Sequence, residues 1–281
     1  MIDLLLRSVL LVPGGRADMI AKTSRAGADA VIVDLEDAVA DADKDTARAV
    51  ATDAIGELHP RVEGLVLLRV NPSATRWFEA DVAAAAASPA DGVVLPKLER
   101  VAQLDELAVQ LRAAGRPDAL IVVGLESGRG VADARELLAG GDGGAPAAVY
   151  FGAEDFVADL GGRRTVAGAE VLYARSQVCL AARLAAVAAL DQVVVDFNDD
   201  ERYLADAQAA AELGYGGKLC IHPRQVPLAN AVFTPTAAEV AHAREVLAAG
   251  SAGVAVVAGA MVDEVHLKMA RAVLRRAGAP E

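Results

Sequence analysis

Cysteine, histidine, positive charge and long apolar stretches are all in short supply along this chain. Two cysteines, Cys179 and Cys220, cannot make a disulfide framework. Both lie in apolar contexts and read as buried free thiols of a reducing compartment. Of four histidines, only His222 falls near a predicted strand end, which argues against a zinc or copper centre. Lys and Arg number 27 against 39 Asp and Glu, a net charge of −12, so the basic face that nucleic acid requires is missing. No run is long enough to span a bilayer, and no basic amphipathic segment suits a membrane surface. The apolar opening Leu4–Val12 is interrupted by Arg7, follows no cationic residue and precedes no small-residue cleavage site. It is expected to be the first strand of a cytoplasmic protein rather than a secretory leader.

What the chain does have is apolar residues, 54% of the total, gathered into eight short runs that mostly end on polar or charged side chains. They read Ser8–Pro13, Ala30–Asp34, Leu65–Asn71, Gly92–Lys97, Leu120–Glu126, Ala147–Gly152, Gln192–Asp196 and Lys218–Pro223. Short, continuous and mostly β-branched, they have the pattern of strands buried on both faces of a parallel sheet. Helical patterns fill the gaps. Ala102–Ala114 carries the stripe Leu104, Leu107, Leu111, and the long Val166–Leu190 presents Leu172, Val178, Cys179 and Ala182. This predicts an α/β fold, a (β/α)8 TIM barrel over residues 1–231, with a C-terminal helical extension over 232–281. Gly14-Gly15 lacks the third glycine of a dinucleotide fingerprint, against a doubly wound sheet. In the extension, Thr236 and Glu239 predict a capping box opening a helix to about Ala249. A short Val254–Val257 strand, a turn at Ala258-Gly259 and a helix from about Glu264 to Ala277 follow, an arm suited to pack on a neighbouring subunit.

In such a barrel, chemistry gathers at the carboxyl ends of the strands. There the sequence places Asp34, Glu36, Asp37, Glu126, Glu154, Asp155 and Asp196, with Arg69, Lys97 and Lys218 as partial compensation. Crowded carboxylates repel unless a cation offsets them, and carboxylate ligands suit a hard ion, Mg²⁺ or Mn²⁺. Glu126 and Asp155, from adjacent strands, are the best metal pair; the competing reading makes Glu126 a helix cap and Asp155 a first-turn acid facing the dipole. Arg69, inside the barrel by alternation, must face an anion, either a mouth carboxylate or a substrate carboxylate. Lys44 and Arg48 can brace the Asp34–Asp37 cluster. Gly162-Arg163-Arg164 offers two cations, open between phosphate contact and pairing with surface acids.

Arg7-Ser8 through Val12-Pro13-Gly14, Asp34-Leu35-Glu36-Asp37-Ala38-Val39, Arg69-Val70-Asn71, Val94-Leu95-Pro96-Lys97, Glu126-Ser127 and Phe151-Gly152-Ala153-Glu154-Asp155 follow one another in order. With Gly217-Lys218, Ile221-His222-Pro223, Phe233-Thr234-Pro235 and Met261-Val262-Asp263, this series resembles the citrate lyase beta-subunit-like branch of the HpcH/HpaI aldolase/citrate lyase family, over nearly the whole chain. Asp196-Phe197 and Asp199-Asp200-Glu201 resemble malyl-CoA lyases in particular. The tail departs from the pattern at Val257–Met261 and at Val265, where relatives often carry a different turn and a proline.

The resemblance implies a Mg²⁺-dependent carbon–carbon lyase acting on β-hydroxyacyl-CoA thioesters such as malyl-, citramalyl- or citryl-CoA. The products would be acetyl-CoA or propionyl-CoA and a 2-oxo acid. It implies Glu126 and Asp155 as metal ligands, Glu36 and Asp37 behind them, and Arg69 with Gly152 and Ala153 on the 2-oxo acid. Arg16 and Lys22 would contact the CoA phosphates. Asp263 would arrive from a neighbouring subunit of a homotrimer (or hexamer) as acid/base. Two rivals stay open: a citrate lyase beta subunit acting on an acyl-carrier-protein thioester, and a Schiff-base aldolase using Lys97 or Lys218. A histidine-based aldolase is disfavoured, because His59 lies in a Leu58-His59-Pro60 surface loop.

Overall fold

The computed structural model describes residues 4–250, 255–257 and 260–280. The apolar runs close into a barrel of parallel strands: β1 (Ser8–Pro13), β2 (Ala30–Asp34), β3 (Leu65–Arg69), β4 (Gly92–Leu95), β5 (Leu120–Leu125), β6 (Ala148–Phe151), β7 (Ala188–Asp191) and β8 (Gly217–Cys220). Alternate residues point inward, and Val9, Ile32, Leu67, Val94, Val122, Tyr150, Leu190 and Leu219 fill the interior. Register pairs Ile32 with Leu67 and Asp34 with Arg69. The two charged residues therefore continue the inward rows at the carboxyl end, where the apolar filling stops.

Three expectations need correction. The seventh strand is not Gln192–Asp196 but the alanine-rich Ala188–Asp191, and the long helix ends at Ala185. Ala186 breaks that helix with a left-handed φ of 58°. Alanine is a poor strand former on propensity alone, yet pairing of Ala188 with Ala148 and Leu190 with Gly217 makes the strand, a case of packing overriding local preference. The valine run Val193-Val194-Val195 lies in the loop beyond. Leu172 also leaves the predicted apolar face: it is exposed, and the buried stripe runs through Val171, Ala174, Val178, Cys179 and Ala182.

The chain divides into two compact units between Asn230 and Ala231. In the second, Thr236 and Glu239 exchange the capping-box hydrogen bonds at the start of the helix Ala237–Gly250. The strands β9 (Ala255–Val257) and β10 (Ala260–Val262) pair antiparallel, and the helix Glu264–Arg276 follows. Val246, Val262, Leu267 and Leu274 form its small core, while Val256, Met261, Val265 and Met269 stay exposed. Val254 and the turn expected at Ala258-Gly259 lie outside the described residues.

Candidate active site

The β2–β3 corner is organised by one buried arginine. Arg69 donates from Nε and Nη2 to the two carboxylate oxygens of Asp34, both at 2.7 Å, the bidentate fork that the strand register sets up. Its Nη1 lies 3.0 Å from Glu36 Oε2, and Asp37 Oδ2 is 3.8 Å from Nη2. The loop carrying these acids is fixed from behind. Lys44 donates to the Leu35 and Glu36 carbonyls, and Asn71 Nδ2 donates to the Leu35 carbonyl and to the fully buried Asp81. Arg48 also donates to Asp81, so Lys44 and Arg48 brace the cluster as expected.

Across the mouth, Lys97 follows β4 with φ at 51°, a left-handed conformation uncommon outside glycine. That turn lets its backbone N–H donate to Glu126 Oε1 at 3.0 Å while its ammonium reaches Glu36 Oε1 at 2.5 Å. The same ammonium lies 3.3 Å from Asp37 and 3.4 Å from Asp155. Glu126 is buried just past β5, and the Tyr150 hydroxyl donates to its Oε1 at 2.6 Å. A Cβ on Gly152 would stand 2.6 Å from Glu126 Oε2, so only glycine leaves the space over that oxygen open. Asp155, in the first turn of the helix Ala153–Asp159, is 38% exposed in its side chain. Glu126 caps nothing: Ser127 caps the helix Gly128–Ala132 by accepting from the Gly130 N–H.

Electrostatics follow from burial and crowding. Burial pushes the Glu36 carboxyl up to about 7 against the pull of Arg69, and its Oε2 is a sealed polar atom with no aligned hydrogen bond. Burial also raises Glu126, although Arg69 and the Tyr150 hydrogen bond oppose it. Asp37 feels burial too, but Arg69 and Lys97 outweigh it and hold the carboxyl below its ordinary value. Lys97 is held protonated: burial opposes the charge, and the Glu36 hydrogen bond with the nearby acids overcomes it. Among the described residues, Asp34, Glu36, Asp37, Glu126 and Asp155 thus form ion pairs with or lie near Arg69 and Lys97 alone, a negative surplus suited to a dication. Among the described residues no three His, Cys, Asp or Glu side chains form a closed cage.

Other predicted residues lie elsewhere. Lys218 is not in the mouth. It precedes the inward Leu219 and points out to the helix layer, fully buried, donating to Asp191, Asp206 and the Gln192 carbonyl. With Arg175 on Asp191 and Asp206, it ties β7 and β8 to the helices outside them. Arg16 and Lys22 are exposed and pair with Asp18. Arg164 is taken by Glu154, Glu170 and Gln192, which settles it as a partner of acids, while Arg163 is exposed. Asp196 is exposed and accepts from Asn198 N–H. Beside it, Phe197 stacks on His222 with ring centroids 4.8 Å apart. Asp263 caps the helix Glu264–Arg276 by accepting from Val265 and His266 N–H, and its contact with His266 lowers its pKa. Two clefts, of about 620 and 500 Å³, open beside Arg7, Asp29 and Gly64 and beside Arg116 and Pro146, near the amino ends of the strands. The mouth is the better candidate, because the convergent charges, the strained Lys97 and the perturbed carboxyls are all there. Sequence reasoning missed Tyr150, whose signal was a tyrosine on an inward row two residues before Gly152.

A closed parallel barrel whose strand ends gather carboxylates, an arginine and a lysine defines an α/β-barrel enzyme. The HpcH/HpaI aldolase/citrate lyase family model matches residues 7–223, and the chain belongs to that family, which makes it a lyase. It is 49% identical over 280 residues to a citrate lyase subunit beta-like protein of Deinococcus radiodurans, covering 96% of each chain. A (3S)-malyl-CoA thioesterase of Cereibacter sphaeroides is 34% identical over 97% of this chain and 95% of its own. The crystal structure of the protein CitE from Mycobacterium tuberculosis in complex with magnesium, acetoacetate and coenzyme A matches with a TM-score of 0.84 at 34% identity, over 99% of this chain and 100% of that one.

Proposed function

We propose that the chain is a Mg²⁺-dependent carbon–carbon lyase that cleaves or forms a β-hydroxyacyl-CoA thioester, with acetyl-CoA or propionyl-CoA and a 2-oxo acid as the other partners. The observation that carries this reading is the pairing of Glu126, one oxygen left over the Gly152 gap, with the half-exposed Asp155 in a mouth short of positive charge. Both would hold the ion; the M. tuberculosis relative is described with magnesium and coenzyme A. An ion held there by Glu126 and Asp155 would supply Lewis-acid stabilisation of negative charge developing on the substrate oxygen. Mn²⁺ has the same preference for carboxylate ligands.

The protein's own groups do the rest. Asp34 fixes the Arg69 fork, so that Nη1, which faces Glu36 Oε2 at 3.0 Å, is the guanidinium nitrogen a substrate carboxylate would meet in competition with Glu36. Gly152 and Ala153 leave room for the oxo acid beside Glu126. Glu36 and Asp37 hold the Lys97 ammonium at the centre of the acids, where it adds positive potential to the bound oxygens. Arg16 and Lys22 offer charge to the CoA phosphates. Asp263 from a neighbouring subunit of a trimer exchanges the proton at the thioester α-carbon, donating it to the enolate in the cleavage direction. The exposed Val256, Met261, Val265 and Met269 around it are the apolar surface such an interface would cover. A cytoplasmic setting suits the free buried thiols.

A panel of malyl-, citramalyl- and citryl-CoA, assayed for 2-oxo acid and for free thiol, tests the reading. Oxo acid release that needs Mg²⁺ and disappears in Asp155→Ala is expected. Unchanged turnover in that variant contradicts it, free thiol without oxo acid marks a thioesterase, and activity only on an acyl-carrier-protein ester marks a citrate lyase subunit.

A further inference from the structure

The two oxygens of Glu126 are treated differently. Oε1 accepts both the Tyr150 hydroxyl at 2.6 Å and the Lys97 N–H at 3.0 Å, and no donor among the described residues reaches Oε2. Three features of the backbone build this asymmetry. The left-handed turn at Lys97 aims its N–H at Oε1. Gly124 stands opposite Tyr150 in the β5–β6 register, and a Cβ there would collide with both Glu126 Oε1 and the Tyr150 hydroxyl. Gly152 keeps the space over Oε2 clear. Tyr150 itself rises from the apolar interior of the barrel, and its one polar side-chain atom donates to Glu126.

We infer that Tyr150 is a positioning residue which, by occupying Oε1, makes Glu126 a one-oxygen ligand and biases the site toward a small octahedral dication, Mg²⁺ over Ca²⁺. The inference rests on the metal reading above and adds to it the basis of ion choice. Mg²⁺ demands near-ideal octahedral geometry and is satisfied by single carboxylate oxygens and water, whereas Ca²⁺ accepts six to eight oxygens and readily takes both from one carboxylate. A free Glu126 could offer both; a Glu126 held by Tyr150 and Lys97 offers Oε2. Outer-shell partners of this kind typically carry about 10- to 100-fold in metal affinity.

Calorimetric titration of the metal-free protein with Mg²⁺ and, separately, Ca²⁺ tests this on wild type, Tyr150→Phe, Gly124→Ala and Glu126→Gln, with a melting curve for each. Tyr150→Phe is expected to weaken Mg²⁺ by about tenfold or more and Ca²⁺ by less, moving the ratio toward Ca²⁺. Gly124→Ala, whose methyl would intrude on the same hydrogen bond, is expected to move the ratio the same way without altering Tyr150. Unchanged Mg²⁺ affinity in Tyr150→Phe, or a parallel loss of both ions, would overturn the inference. A wild type that binds no Mg²⁺, or a Glu126→Gln variant that binds it as well as wild type, would instead remove the metal reading and this inference with it.

Discussion

Replacing Arg69 by methionine takes the counter-charge from a site that holds Asp34 at 2% and Glu36 at 4% side-chain exposure. Breaking a buried, hydrogen-bonded ion pair from one side costs about 3–5 kcal/mol, because the remaining charge stays desolvated and unpaired. The lower end applies here. Asp34 keeps the N–H groups of Glu36 and Ala38 at 2.8 and 3.2 Å, and Glu36 keeps the Lys97 ammonium. Arg69→Met should therefore lose about 3 kcal/mol. Arg69→Met with Asp34→Asn removes both charges and should be less damaging than the sum of the singles, by about 1–2 kcal/mol. Urea unfolding in EDTA, followed by circular dichroism, gives all four corners of the cycle. A single-variant loss below about 1 kcal/mol, the range of exposed pairs, or strict additivity, would refute the claim that Asp34 locks the Arg69 fork.

Glu36 is held at about 7 against 4.5 for the ordinary carboxyl, so between those values the folded chain binds more protons than the unfolded chain. Its contribution is complete below about pH 4.5 and is lost as pH rises through about 7. Metal-free Glu36→Gln should show a flatter fall of melting temperature over that window than wild type, and identical slopes would contradict the assignment. Borohydride with a 2-oxo acid should leave Lys97 and Lys218 unmodified, since the ammonium of Lys97 is held by Glu36 and that of Lys218 by Asp191 and Asp206; a covalent adduct with turnover resistant to EDTA would revive the Schiff-base reading. Inactive Arg69→Ala and Asp263→Ala subunits, mixed, should regain part of the activity, and verified mixed oligomers without activity would count against a shared site.

Much of the mouth was legible because inward rows of the strands end in charge: Asp34, Arg69 and Glu126 each follow an apolar run by alternation, and the barrel brings them together. Lys218 shows where that logic fails. It is the second residue of β8 and comes just before the inward Leu219, and a one-residue difference turns a side chain from the barrel interior to the helix layer. The displaced seventh strand has a related cause, since Ala188–Asp191 carries little local strand preference and is defined by its neighbours. The two partners of Glu126 Oε1 were hidden for different reasons. The Lys97 N–H depends on a backbone angle that residue identity does not advertise, and a tyrosine within an apolar strand run does not reveal that its hydroxyl meets Glu126.

Crystals soaked in Mn²⁺ and pyruvate, read by anomalous scattering, test the centre of this account most directly. A peak at bonding distance from Glu126 Oε2 and an Asp155 oxygen, with the pyruvate carboxylate on Arg69 Nη1, is the expected result. No peak between those two carboxylates, or pyruvate bound away from them, would contradict it.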